Sequence, residues 1–184
     1  SLEERLREIL KRNKEDVEDI RRRLEEILKR NKEEIDRLRE ELRRILEEVK
    51  REVKELIKRK STDERLIRIA EDVIRRVKKL VDEVDDIARK SHERVRRLVE
   101  EVKRILKESH DTLRRLVRKV REDNDEKTAE EVIERIKKLT EDVRRDVERV
   151  IREIEKSSDD LRKVVKDVID DIKRLLKELR EEIN

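Results

Sequence analysis

The chain has 184 residues, of which 59% are charged, and it contains no Gly, Pro, Cys, Met, Phe, Tyr or Trp. Lys and Arg number 56 against 52 Asp and Glu, so the net charge is only +4, and the two signs are interspersed. The composition excludes disulfides and thiolate chemistry, and it lacks the clustered basic face and the aromatic residues expected of a nucleic-acid binder. Apolar runs never exceed two residues, which excludes a membrane-spanning segment and the apolar core of a signal peptide.

The first predicted helix covers about residues 2–59, where apolar residues recur at spacings of three and four. The sequence EILKRNKE occurs at Glu8–Glu15 and again at Glu26–Glu33, an offset of 18 residues, which is about five turns of α-helix. This repeat predicts a nearly straight helix, because a strict seven-residue repeat would impose a supercoil. Each copy places an asparagine, Asn13 or Asn31, where the pattern otherwise has a hydrophobic residue.

Two short breaks separate this segment from two further helical segments. At the first break, Ser61 with Glu64 fits a capping box that would begin the second helix. At the second, Asn124 can adopt a left-handed conformation in place of glycine, and Thr128 with Glu131 fits another capping box. Connections of so few residues require each helix to run antiparallel to the one before it.

The sequence therefore predicts an all-α fold, an up-down-up antiparallel three-helix bundle of long, nearly straight, coiled-coil-like helices. The predicted helices lie at about residues 2–59, 63–121 and 126–183, and residues 1–184 are expected to form a single domain.

Polar residues replace hydrophobic ones in matching columns of the 18-residue repeat. Folding the chain at its two breaks brings them level with the asparagines, at levels about 27 Å apart along the helices. The first level contains Asn13, Ser109, His110 and Thr140, the second contains Asn31, Ser91, His92, Ser157 and Ser158, and the third is hydrophobic, with Val49, Val73, Ile74, Leu175 and Leu176. A buried polar group without a partner costs about 1–3 kcal/mol, so we interpret each polar level as a network that fixes helix register.

His92 and His110 are the two residues that invite a chemical interpretation. Catalysis would need a nucleophile, an orienting carboxylate and a cleft, and a zinc site would need three or four convergent ligands. The histidines lie at different levels, and neither level contains Glu or Cys, so we predict no enzyme activity, no metal and no cofactor. Burial disfavours a protonated imidazole, which predicts that stability falls in acid below about pH 6.5.

The whole chain resembles computationally designed, parametrically generated helical bundles with buried hydrogen-bond networks. The resemblance depends on the 18-residue repeat, the Leu/Ile/Val core, short capped loops such as Ser61-Thr62-Asp63, and the Asn, His, Ser and Thr levels. The chain departs from many such proteins in having no Gly in either loop. The resemblance implies a very stable, soluble structural scaffold without a natural biochemical function, and it implies no cellular location.

We expect a monomer that requires no partner, nucleic acid or membrane. The alternative is a component of a designed helical assembly, either an oligomer or a split-helix binding module that receives a separate helix, with a pH response through its histidines. Val164, Leu116 and Ile67 widen the apolar stripe locally and favour this alternative. A lipid-binding amphipathic helix fits the charge content, but such helices usually carry Trp or Phe and have no polar residues within the apolar stripe.

Overall fold

A computed structural model of the chain describes residues 1–60, 62–123 and 125–183. It contains three long α-helices within these ranges, α1 (Leu2–Arg59), α2 (Glu64–Asp123) and α3 (Glu126–Ile183). The order of contacts gives their directions: Glu3 near the start of α1 pairs with Arg121 near the end of α2, whereas Arg5 pairs with Glu130 near the start of α3. The predicted all-α, up-down-up three-helix bundle is confirmed.

The start of α2 is capped by Asp63. Its carboxylate Oδ1 accepts hydrogen bonds from the backbone N–H groups of Arg65 (3.1 Å) and Leu66 (3.2 Å), and its carbonyl accepts the first intrahelical bond, from Ile67. This is the geometry of an aspartate N-cap, which satisfies donors that the first turn of a helix leaves unpaired. The helix therefore begins one residue later than predicted and ends two residues later, at Asp123. Ser61, the predicted capping residue, lies outside the described residues.

The start of α3 is capped by Asp125, which corrects the predicted capping box at Thr128 and Glu131. α3 begins at Glu126, so Thr128 already lies in its first turn, and its hydroxyl donates to Asp125 Oδ2 at 3.0 Å. The carbonyl of Asp125 accepts the first intrahelical bond, from Ala129. An aspartate directly before the first helical residue is better placed than a threonine three residues later. Asn124, predicted to adopt a left-handed conformation, lies outside the described residues.

Replacing Asp63 with alanine is expected to lower the free energy of unfolding by about 0.5–2 kcal/mol, because two backbone donors lose their acceptor. Denaturant-induced unfolding measures the change. Asp63→Asn is the matched control and should retain most of the stability, because its side-chain oxygen can still accept both bonds. An equal loss for both substitutions would contradict the capping role.

The contacts divide the chain into two compact units. The first unit comprises Ser1–Arg30 and Arg94–Lys156, and the second comprises Asn31–Glu93 and Ser157–Asn184. The boundary between the units falls beside a second-level residue in each helix. Asn31 and Ser157 each begin a segment of the second unit, and the segment that ends at Glu93 ends one residue after His92. The single domain predicted for residues 1–184 stays a prediction.

Two clusters of buried side chains form the core of the first unit. One contains Leu24, Val95, Leu98, Val99, Val102, Leu106, Val147, Val150, Ile151 and Ile154. The other contains Leu6, Leu113, Val117, Val120, Ala129, Val132 and Ile136. The first polar level falls between the two clusters in sequence on each helix: His110, for example, lies between Leu106 of one cluster and Leu113 of the other.

One larger cluster forms the core of the second unit. Its buried members are Ile35, Leu42, Val49, Val53, Ala70, Val73, Val77, Val81, Val84, Ala88, Leu161, Val165, Ile172 and Leu179. All five residues of the hydrophobic third level belong to it, with Val49 and Val73 buried and the others packed against it half-buried. The repeat explains this pattern, because 18 residues return a side chain to the same face of a helix.

The residues that suggested a wider apolar stripe are not openly exposed. Val164, Leu116 and Ile67 are half-buried, and Leu116 packs against a buried cluster of the first unit. Ile87, at 40%, is the exposed large hydrophobic residue of the described chain. The described residues also include no helix long and apolar enough to cross a membrane.

Candidate functional site

The second polar level is a hydrogen-bonded chain that joins all three helices. Asn31, only 5% exposed, is the buried polar residue among those described. Its amide Nδ2 lies 3.3 Å from Nδ1 of His92 on α2, and its Oδ1 accepts a hydrogen bond of 3.1 Å from the hydroxyl of Ser158 on α3. Both ends of the buried amide are therefore used, which removes the penalty of burying it unpaired.

A second contact in the same level joins α2 to α3 directly. The hydroxyl oxygens of Ser91 and Ser157 lie 3.2 Å apart, and both side chains are half-buried. A hydroxyl can donate and accept, so such a pair needs no fixed orientation. All five residues predicted for the second level thus take part in contacts between helices.

The asparagines determine the chemical form of the histidine rings. An amide nitrogen can only donate, so Nδ1 of His92 must accept, and the ring proton then lies on Nε2. In the first level Asn13 Nδ2 lies 3.2 Å from Nδ1 of His110, so this ring nitrogen is likewise the acceptor. A ring protonated at Nδ1 would face the amide with a second donor and lose the bond.

The first level differs from the sequence prediction at two residues. The hydroxyl of Thr140 donates to the carbonyl of Ile136 in its own helix, at 2.9 Å, and the side chain is exposed. A β-branched threonine in a helix readily makes this bond to the carbonyl four residues earlier. Ser109 is half-buried and makes no side-chain hydrogen bond within the described ranges. Asn13 and His110 therefore form the hydrogen-bonded part of this level.

Ion pairs between helices are a feature that the sequence prediction missed. Arg39 Nε donates to Asp85 Oδ1 at 2.5 Å, and Nη2 of the same arginine donates to Oδ2 at 3.2 Å, a two-point contact in which both side chains are about one-third exposed. On the α1–α3 side, Arg162 pairs with Glu34 through two hydrogen bonds, one of them 2.8 Å.

The Arg162 guanidinium lowers the pKa of the Glu34 carboxyl below its ordinary value, mainly through this hydrogen bond. Since the folded pKa lies below the unfolded one, the pair stabilises the fold above the ordinary pKa of glutamate, and this contribution is lost as pH falls through the lowered value.

The same α1–α3 ion pair occurs once more, one repeat further along. Arg180 Nε donates to Glu52 Oε1 at 2.6 Å, and both residues lie 18 positions after Glu34 and Arg162. The repeat in the sequence is the signal that could have found these pairs. Their side chains are between one-quarter and three-fifths exposed, so each stabilises modestly.

The polar side chains of the two levels are hydrogen-bonded mainly to one another. Ser91 is hydrogen-bonded to Ser157, and the Nδ1 atoms of both histidines face amide donors. No group of three or more His, Cys, Asp or Glu in residues 1–60, 62–123 and 125–183 is placed to hold a metal ion. The lack of enzyme activity stays a prediction.

Comparisons with protein-family models, with curated proteins and with solved structures find no match to the chain.

Acidification is expected to lower stability as pH falls through the lowered pKa of Glu34, because protonation of this carboxyl removes its ion pair with Arg162. Thermal unfolding followed by circular dichroism at several pH values measures the effect.

The variant Glu34→Gln is the control for this experiment. Its amide oxygen can still accept from Arg162 but does not titrate, so its melting temperature should change less in acid. Equal changes in the variant and the parent protein would assign the effect to other carboxylates and contradict the role of Glu34.

Proposed function

We propose that the chain is a structural scaffold of the designed helical-bundle type, without a natural biochemical activity, in which the polar levels specify how the helices align. The observation that supports this is the second level, where one buried amide is hydrogen-bonded to α2 through Nδ2 and to α3 through Oδ1. Such a group is costly unless both partners stand at the same height. The buried amide thereby favours one alignment of the helices over alignments that are shifted along the helix axis.

The connections between helices define which misalignments the levels must prevent. Four residues separate Arg59 from Glu64, and a chain of that length reaches about 17 Å when fully extended. A slip by one whole repeat, about 27 Å, is therefore excluded by the connection itself. A slip by one helical turn, about 5.4 Å, lies within its reach. That slip would bring Asn31 level with a hydrophobic residue such as Ala88, one turn from His92.

Chemical crosslinking tests the alignment, because the chain has no cysteine of its own. The variant with Glu34→Cys and Arg162→Cys places thiols at a contact between α1 and α3, and a short bismaleimide should link them rapidly. The matched variant has Glu34→Cys and Lys166→Cys, in which the second thiol lies one turn further along α3. We expect it to react about 5- to 150-fold more slowly, because loss of the buried amide's partners costs about 1–3 kcal/mol in the slipped state. Equal rates would contradict a role of the levels in alignment.

A second candidate function is a component of a helical assembly that receives a further helix. The observation that favours it is the incomplete first level, where the side chain of Ser109 makes no hydrogen bond within the described residues and the hydroxyl of Thr140 donates to the carbonyl of Ile136 in its own helix. A polar side chain from another helix could complete this level. Light scattering after size-exclusion chromatography separates the candidates when the chain self-associates, since the scaffold should have a mass near 22.7 kDa and an oligomer a multiple of it.

A further inference from the structure

The first unit contains a cavity of about 220 Å³ beside the first polar level. Side chains of α1 and α3 provide most of its lining, and Leu106 and Ser109 of α2 complete it. The remaining apolar lining consists of Val17, Ile20, Val143, Val147 and Ile151. Charged residues of α1 and α3, among them Asp16 and Arg144, also border it.

The 18-residue repeat explains why the cavity lies at this level. Asp16 and Arg144 occupy the repeat positions of Glu34 with Arg162, and of Glu52 with Arg180. Both glutamates form ion pairs between α1 and α3. The aspartate is one methylene shorter than glutamate, and no ion pair joins it to Arg144 in the described part of the chain. The contact that bridges α1 and α3 at two repeat positions is thus missing at the third.

Thr140 also lines this cavity. Its repeat equivalent in the second unit, Ser158, points its hydroxyl at Asn31, whereas the hydroxyl of Thr140 bonds Ile136 within α3. Asn13 consequently receives no hydrogen bond at Oδ1 from any described residue. Six apolar side chains therefore line the cavity together with two polar ones that can bind a ligand, Asn13, whose amide oxygen can accept, and Ser109, whose hydroxyl can donate or accept.

Size and lining together define the kind of molecule that fits. An apolar cavity of about 150 Å³ binds benzene, so this larger one has room for a single ring with one or two substituents. Neither charge of ligand is favoured, because the charged lining carries both signs, Asp16, Asp19 and Glu148 against Arg23 and Arg144. A helix is too large to enter unless α1 and α3 separate, since a helix with its side chains is about 10 Å across.

We propose that this cavity is a binding site for a small neutral amphiphile, a single-ring phenol or alcohol. Its ring packs against Val17, Val143 and Val147, and its hydroxyl donates to Asn13 Oδ1 and accepts from Ser109. This site is independent of the scaffold role, because it depends on the open first level and not on the complete second one.

Titration with 4-methylphenol, followed by backbone amide NMR shifts, tests the site in the full chain. We expect saturable shifts concentrated at Val17, Ser109 and Val143. Ser109→Ala removes the hydroxyl without filling the cavity and should weaken 4-methylphenol binding about two- to tenfold, the range of one ordinary hydrogen bond. Toluene, which has no hydroxyl, should bind the parent and this variant equally.

Ser157→Ala is the matched control, because it removes a serine hydroxyl from the second level, and it should leave 4-methylphenol binding unchanged. Asp16→Glu is a second test variant on the protein surface, expected to pair with Arg144 and to slow ligand entry and weaken binding. Shifts that do not saturate, shifts spread over both units, or unchanged binding in both Ser109→Ala and Asp16→Glu would overturn the proposal.

Discussion

Replacing His92 with leucine is expected to lower the free energy of unfolding by about 1–3 kcal/mol, although leucine is the more hydrophobic residue. The amide Nδ2 of Asn31 donates to this ring, and Asn31 is only 5% exposed. Without the ring, that donor is left in a site that water reaches poorly. Leucine can regain part of the loss through apolar contacts, but the position is only half-buried. Denaturant unfolding by linear extrapolation gives the change in free energy.

His110→Leu is the matched control for this prediction. It removes the equivalent acceptor from the first level, where Asn13 is half-exposed and beside an open cavity. The freed amide can there be hydrated, so the loss should be clearly smaller than for His92→Leu. A His92→Leu variant that keeps its fold and gains several kcal/mol would show that the polar levels are not hydrogen-bonded networks.

The helices and their pairing were accessible from the sequence because one repeat length governs both. A period of 18 residues defines the buried face of every helix, and the two breaks then decide which residues stand at the same height. Asn13 with His110 and Asn31 with His92 follow from this reasoning without any knowledge of side-chain rotamers, and the structure places both pairs within hydrogen-bond distance.

Rotamer choices were not accessible in this way. Thr140 and Ser158 occupy equivalent repeat positions, yet one hydroxyl bonds its own helix and the other bonds Asn31 across the bundle. The two residues differ by one methyl group, and a hydroxyl on a helix can bond either the carbonyl four residues earlier or a neighbouring helix. Asp16 is a different case, because its side chain, one methylene shorter than Glu34 and Glu52 at the same repeat position, can be read from the sequence.

Helix starts were uncertain in the sequence for a related reason. Ser61, Thr62 and Asp63 are all good N-cap residues, so composition alone cannot tell which one ends the loop. The described geometry favours the last of them, whose carboxylate faces the backbone N–H groups of Arg65 and Leu66. In both loops the aspartate directly before the helix is the cap.

Replacing the whole second level by third-level residues is expected to raise stability and to weaken alignment at once. The variant carries five changes, Asn31→Val, Ser91→Val, His92→Ile, Ser157→Leu and Ser158→Leu. Burial of these side chains should add roughly 3 kcal/mol or more to the free energy of unfolding, since one fully buried aliphatic side chain contributes about 1.5–3 kcal/mol. Denaturant unfolding measures this part of the prediction.

Alignment in this variant is measured by adding the two cysteine pairs used above. Without Asn31 and its partners, a slip by one turn no longer strands a polar group, so the pair at positions 34 and 166 should react at a rate closer to that of the pair at 34 and 162. The single change Asn31→Val is the control: it leaves His92 and Ser158 without their amide partner and should not give the stability gain of the full replacement. If the variant with the five changes is still crosslinked only through the cysteine pair at positions 34 and 162, the hydrophobic residues and the short connections are sufficient to hold the helices in register. The second level would then affect only the stability of the bundle, which it lowers relative to hydrophobic side chains, and not the alignment of its helices.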